Sequence, residues 1–477
     1  MAEHVSDGRR TRFWGRARLG LLLAFLLLCF VGGGGSRGDI VSLLYVRPAA
    51  ILCLAAILIV PGPIDWAGIR IPLLLLGALA LWMLIQLVPL PPAWWTSLPG
   101  RGIVAEGAAA LGVDQPWRPI SLAPALTLNS LAAMSVPFAA LIGFAALDED
   151  GRRLLLPLLI GAAFVSALFG IAQISGGADS PFYLYRVTNN DAAVGLFSNR
   201  NHQAALLALT FPMLALWAAQ VGKDVAGRRA RRAIAIILAI FLVPMILVTG
   251  SRAGLLLGTL AIAWAGFQYL KDWRTQRGEK GIGWRLPLAA LAALIAVAGL
   301  FMMLAFSRAS AVLRLLGDGE IDLRLKVFPV LTRMAGDLHL VGSGFGSFDP
   351  VYRIYEPGGM LSPNYLNQAH NDLLELIITG GLPALIILAL FILWWARASW
   401  RAVRAWRSPS QGFAYARLGS FMILLLLLWS LVDYPLRVPI MSAIFAIACG
   451  WLCGAGRKAS RGEGQRPLRF AETASIA

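Results

Sequence analysis

Charge is what this sequence has least of. Only 14% of its 477 residues are charged and 58% are apolar, where a soluble domain carries about 25% charged and about 45–50% apolar residues. That shortage excludes a soluble enzyme and a disordered tail. Cysteine is scarce as well: Cys29, Cys53, Cys449 and Cys453 all fall inside apolar runs, so they imply neither a disulfide framework nor a zinc site. There is no G-x-x-x-x-G-K-[ST] phosphate loop and no H-E-x-x-H, and His4, His202, His339 and His370 form no ligand cluster along the chain. No metal and no cofactor is therefore expected, and any reaction is expected to use a substrate that arrives already activated. Acidic residues are few, 25 against 42 Lys and Arg, for a net charge of +17. The basic residues lie in short blocks between apolar runs, which reports membrane topology and not nucleic-acid binding.

Long apolar runs are what the sequence has in quantity. Several exceed the roughly 18 residues that cross a bilayer, so the predicted fold is all-α, a polytopic membrane helix bundle. Candidate spans lie near 19–35, 46–62, 71–90, 127–147, 154–174, 202–220, 233–249, 251–270, 287–306, 373–396, 417–433 and 437–455. With the N-terminus in the cytoplasm, 28 of the 42 basic residues fall on the inner side, which predicts twelve spans and two cytoplasmic termini. The arginines before Leu19–Val31 also fit a signal peptide, but the many later spans favour an uncleaved first helix. The chain divides into a basic cytoplasmic N-terminus (1–18), N-terminal transmembrane helices (19–174), a transmembrane core (175–455) holding a large outer loop (307–371), and a basic cytoplasmic tail (456–477). Trp94, Trp95 and Trp117 on the outer side and Trp394 and Trp395 on the inner side fit interfacial belts.

The middles of the spans contain no Asp, Glu, Lys or Arg; Arg47, Glu375, Asp433 and Arg437 stand near span ends. Ion-coupled carriers need such groups at mid-membrane, so a proton- or sodium-driven carrier is disfavoured. Polar chemistry gathers in the outer segments Pro91–Leu126, Ile174–Asn201, Thr249–Arg252 and Ser307–Asn371. In the last of these, Ile321, Leu325, Phe328 and Leu331 have helical spacing, which predicts an amphipathic helix over 321–338 with a kink at Pro329.

The residues in these segments read in two ways. Arg252, in Thr249-Gly250-Ser251-Arg252 between two spans, is either an interfacial anchor or a planar fork for a lipid-linked phosphate. Arg324 is either one charge on a solvated helix face, paired with Glu320 or Asp322, or a second phosphate contact. Gly342-Ser343-Gly344-Phe345-Gly346 reads as a flexible turn and not as a nucleotide loop. In His370-Asn371-Asp372, Asn371 or Asp372 is a helix N-cap, and His370 is either an interfacial side chain or a base, since a reference imidazole titrates near pH 6.5. Asn199-Arg200-Asn201-His202 likewise precedes a span, with Asn201 as the expected cap and Arg200 and His202 available to a sugar or phosphate.

Together these motifs resemble a family. The order Gly195-Leu196-Phe197-Ser198-Asn199-Arg200-Asn201, then Gly250-Ser251-Arg252, then Arg324 and the glycine turn, then His370-Asn371, Leu374-Glu375 and Gly380-Gly381 is similar to that of the O-antigen ligase and Wzy-type polymerase superfamily. The likeness is densest from about 190 to 400. Phe328 stands where the family often has Trp, and His339-Leu340 where it often has Pro.

The resemblance implies a bundle of the membrane glycosyltransferase (GT-C-like) type in the bacterial inner membrane, with a periplasmic loop. It implies a metal-independent glycosyltransferase that moves a glycan from undecaprenyl pyrophosphate to a sugar hydroxyl at the periplasmic face, without a cofactor. The acceptor would be lipid A-core in ligation or another glycan unit in polymerisation. A lipid-linked glycan flippase or exporter is the alternative of a different class. By the same resemblance Arg252 and Arg324 would bind the pyrophosphate and His370 would act on the acceptor, with Asn199, Arg200, Asn201, Ser251 and Asn371 as substrate contacts. The chemistry agrees, because fixed guanidinium groups stabilise the charge that gathers on a departing pyrophosphate.

Overall fold

A computed structural model describes residues 2–220, 225–277, 319–361, 366–405 and 411–454. In chain order its elements are α1 (Ala2–Gly32), α2 (Leu43–Ile59), α3 (Trp66–Ile85), β1 (Pro89–Leu90), α4 (Pro92–Thr96), α5 (Gly102–Ala110), β2 (Arg118–Pro119), α6 (Pro124–Ala133), α7 (Ser135–Ala145), α8 (Glu149–Ser175), α9 (Arg200–Ala219), α10 (Val225–Val248) and α11 (Arg252–Arg277). Then follow α12 (Gly319–Leu338), α13 (Phe348–Tyr355), α14 (Asp372–Arg404), α15 (Gln411–Trp429) and α16 (Pro439–Cys453). Among the described residues nine helices are long and apolar enough to cross a membrane, and α2 and α16 are shorter apolar helices. The nine coincide with nine of the expected spans, α2 and α16 fall on the expected spans 46–62 and 437–455 but are shorter, and 287–306 lies outside the described residues.

α9 is the axis of the bundle. Every residue from His202 to Ala215 is buried, because α8, α10, α11 and α15 all pack against it. Small residues make the closest of these contacts possible: a Cβ added at Gly254 of α11 would lie 2.7 Å from the Cβ of Ala204, the close approach by which helices associate in lipid. α16 packs between α7 and α15. The backbone N–H of Ile440 at its start donates to the Gly33 carbonyl at the end of α1, so the first and last described spans are tied at one face.

α14 is a broken helix. Gly381 takes φ 63°, ψ −162° inside it, a conformation that glycine adopts at little cost. Backbone groups freed within a membrane bundle must find partners in protein, and here they do. The Leu382 N–H donates to the His339 carbonyl, the Thr379 carbonyl accepts from the Gly344 N–H, and the Gly380 carbonyl accepts from the Trp82 indole. Gln86, at the end of α3, completes the joint by donating to the Val341 and Thr379 carbonyls and accepting from the Phe345 N–H.

The glycine turn at 342–346 is therefore a buried wedge, where sequence reading expects a flexible turn. Its three glycines all have positive φ, and a Cβ at Gly344 would lie 2.2 Å from Ser121 Oγ. Two other expectations are corrected. Among the described side chains of α12, Val327, Leu331, Met334 and Leu338 are buried and Phe328 is exposed, so Val327 takes the place expected for Phe328, while the side chains of Ile321 and Leu325 lie outside the described residues. Of the tryptophans expected on the outer side, Trp94 and Trp117 are exposed, but Trp95 is buried, with Arg118 over its ring at 5.1 Å and its indole N–H on the Pro119 carbonyl. Trp394, expected at the inner interface, is buried too.

Candidate active site

Three helices begin at one end of the bundle, each with a side-chain cap. Asn199 accepts from the Asn201 N–H before α9, Ser251 Oγ accepts from the Gly254 N–H in α11, and Asn371 accepts from the Leu374 N–H in α14. Capping satisfies donors that a helix start leaves open. It also means that Asn199, Ser251 and Asn371, expected as substrate contacts, already have structural work; the cap of α9 is Asn199 and not Asn201. Helix starts carry partial positive charge, which favours an anion nearby.

The segment before α9 is held rigidly. The Val194 and Gly195 N–H groups both donate to the Gln173 side-chain oxygen, Gln173 donates back to the Gly195 carbonyl, and the Leu196 N–H donates to Ser166 Oγ. Arg200 is buried, and its backbone N–H donates to the Asn189 side chain. The Asn201 side chain lies beside Asp433 and favours its charged form. His202, one turn into α9, is also buried against that carboxylate, with Nε2 3.9 Å from Asp433 Oδ2.

His370 is where sequence reading places it, just before α14, and the structure adds its partner. Its Nδ1 lies 3.2 Å from Asp433 Oδ1; the Asp433 side chain is fully buried, and the imidazole is 23% exposed. Acid–base work by such a ring falls to Nε2, because Nδ1 is committed to the carboxylate. The backbone at His370 has φ 49°, a left-handed conformation uncommon for residues other than glycine. Its neighbours hold it there: the Ala369 N–H donates to Glu375 Oε2 and the Asp372 N–H to the Ser430 carbonyl.

Asp433 is the hub. Burial pushes its carboxyl up, but the hydrogen bond from His370, the two neighbouring imidazoles and the Asn201 hydrogen bond outweigh that and hold it at about 2. It is an anion at neutral pH. The Tyr434 ring lies between the two histidines, 5.2 Å from His202 and 5.1 Å from His370, and its hydroxyl bonds to the Asn199 and Asn367 side chains. Three residues further on, Arg437 Nε meets Asp372 Oδ1 at 2.9 Å and Nη1 meets Glu375 Oε1 at 2.8 Å. Burial opposes that charge, but the two carboxylates outweigh it and raise the Arg437 pKa. The turn between α15 and α16 is thereby clamped onto the start of α14.

Arg252 is the first residue of α11, half-buried, next to buried Ser251 and opposite the start of α9. Arg324 falls within α12, and its side chain lies outside the described residues. The structure thus gathers His370, Asn199, Asn201 and Asn371 around one cluster, with Ser251 and Arg252 at the adjoining helix start. Sequence reading left Asp433, Tyr434 and Arg437 out of the site. Their one visible signal was that Glu375, Asp433 and Arg437 are charged residues at the ends of spans otherwise free of charge.

No curated protein matches the chain. Residues 235–389 match the family model described as O-antigen ligase, a stretch running from α10 through the break in α14 that holds Ser251, Arg252, Arg324, His370, Asn371 and Glu375. That stretch, about a third of the chain, is what is similar to the O-antigen ligase family, and a helical membrane bundle surrounds it.

Proposed function

We propose that the protein transfers a glycan from undecaprenyl pyrophosphate to an acceptor sugar hydroxyl at the periplasmic face, with lipid A-core as the acceptor. The observation that carries this reading is the His370–Asp433 pair, set in a bundle whose matched stretch is described as O-antigen ligase. His370 Nε2 takes the proton from the acceptor hydroxyl as that oxygen attacks the anomeric carbon. The bond from that carbon to the pyrophosphate oxygen breaks, and the lipid pyrophosphate leaves with the electron pair. Asp433 keeps its charge throughout and stabilises the imidazolium that forms. Arg252, Arg324 and the capped starts of α9 and α11 supply positive potential for the leaving group.

The test is to give the purified protein a lipid-linked glycan together with lipid A-core, with a second repeat unit, or with neither, and to identify products by mass. A glycan joined to lipid A-core is the expected product. Chain extension would make the protein a polymerase of the same superfamily. Movement of unaltered lipid-linked glycan across vesicles would make it a flippase.

A further inference from the structure

His202 has no part in the reaction described above, yet it is buried to 1% exposure beside the reacting pair. Neither ring nitrogen has a hydrogen-bond partner. Its ring is held by edge contacts to Phe197 at 6.3 Å and Tyr434 at 5.2 Å. A buried imidazole with both nitrogens unmet is unfavourable unless something uses it. Opposite it, Asp433 Oδ2 is also buried and without a hydrogen-bond partner. The two unmet atoms face each other across 3.9 Å, a gap that closing by about 1 Å would convert into a charge-assisted hydrogen bond.

We propose that His202 is a positioning residue for transfer, donating from Nε2 to Asp433 Oδ2 so that the carboxylate holds His370 in its working tautomer. The proposal rests on His370 being the base. When His370 Nε2 takes the acceptor proton, the ring carries a second proton on Nδ1 that faces Asp433 Oδ1. A carboxylate with a donor on its other oxygen is a poorer proton acceptor, so that proton stays on His370. The acceptor O–H bond breaks, the Nε2–H bond of His370 forms, Asp433 stays unprotonated and His202 keeps its Nε2 proton. The ionisable groups around the carboxylate are His202 from α9, His370 from the start of α14 and Tyr434 from the turn after α15. The Arg437, Asp372 and Glu375 cluster lies on its α14 side and is already paired internally.

The test uses the full-length protein with lipid-linked donor and acceptor. His202→Phe keeps an aromatic ring for the edge contacts, somewhat larger, but has no donor; His202→Gln keeps a donor. The Phe variant is expected to lose about 10- to 100-fold in kcat with donor KM within about twofold of wild type, and Gln to recover most of the loss. In an Asp433→Asn background, His202→Phe is expected to add less than about a twofold further loss, since residues that act through one partner are not additive. His202→Leu, a second variant without a donor, carries the same cycle if the Phe variant does not assemble. A full additional loss on top of Asp433→Asn, or wild-type transfer by the variants without a donor, overturns the proposal. Undiminished transfer by His370→Ala would instead overturn the base itself, whatever the His202 variants do.

Discussion

At the scale of single residues, the candidate site joins one histidine to a carboxylate 63 positions away. Asp433→Asn keeps the size of the side chain and removes the charge that fixes the His370 tautomer, so transfer is expected to fall by about 10²- to 10⁴-fold. His370→Ala should cost a similar factor while donor binding survives; direct binding of the lipid-linked donor to both variants separates alignment from affinity. Arg252→Lys keeps a charge but loses the planar fork, and transfer is expected to drop roughly tenfold or more without loss of membrane insertion. Wild-type rates for the Lys variant would leave Arg252 as an anchor. His370, Asn199 and Asn371 were legible in the sequence because polar residues directly before an apolar run have only a few uses. Asp433 was not, because nothing in the local spacing of 429–438 says which span it will face.

Among the elements, the break in α14 matters most for the geometry of the site. Gly380-Gly381 was visible as a motif, but its partner was not: the wedge at 342–346 fills the break only once Gln86 and Trp82 from α3 have arrived. Arg101 adds a second brace. Its guanidinium is fully buried, donating to the Pro99, Ile120 and Gly342 carbonyls, and burial lowers its pKa to about 10. Arg101→Ala strands those carbonyls and is expected to cost about 1–3 kcal/mol of stability. Gly344→Ala forces a Cβ to within 2.2 Å of Ser121 Oγ at φ 100°, and overpacking of this kind costs about 1–3 kcal/mol or more. Thermal unfolding in detergent should show both losses, while Gly358→Ala, with open space around its Cβ, should match wild type. On α12 Val327 replaces Phe328 on the buried face for a related reason: which of the two turns inward is decided by α13 and α14, not by α12 itself.

At the scale of the whole molecule, hydropathy made the bundle legible and basic blocks predicted its orientation. Thiol labelling checks that orientation. Gly358→Cys and Asp150→Cys place thiols at exposed positions at opposite ends of the bundle, whereas the native Cys29, Cys53 and Cys449 are buried and Cys453 is half-buried. A reagent that does not cross membranes, applied to right-side-out spheroplasts, should mark the Gly358→Cys protein and spare the Asp150→Cys protein. Equal marking of both would reverse or redraw the topology.

The turn between α15 and α16 also bears on how the protein is made. Asp433 and Arg437 are among the last residues before the final span, and Ile440 behind them closes onto Gly33 at the end of the first. A ribosome that has reached Arg404 has delivered His370 and the whole stretch matched to the family, yet not Asp433. On the proposed mechanism a half-built copy in the membrane carries the base without the carboxylate that aligns it, so a chain truncated after Arg404 is expected to transfer glycan no faster than the Asp433→Asn variant.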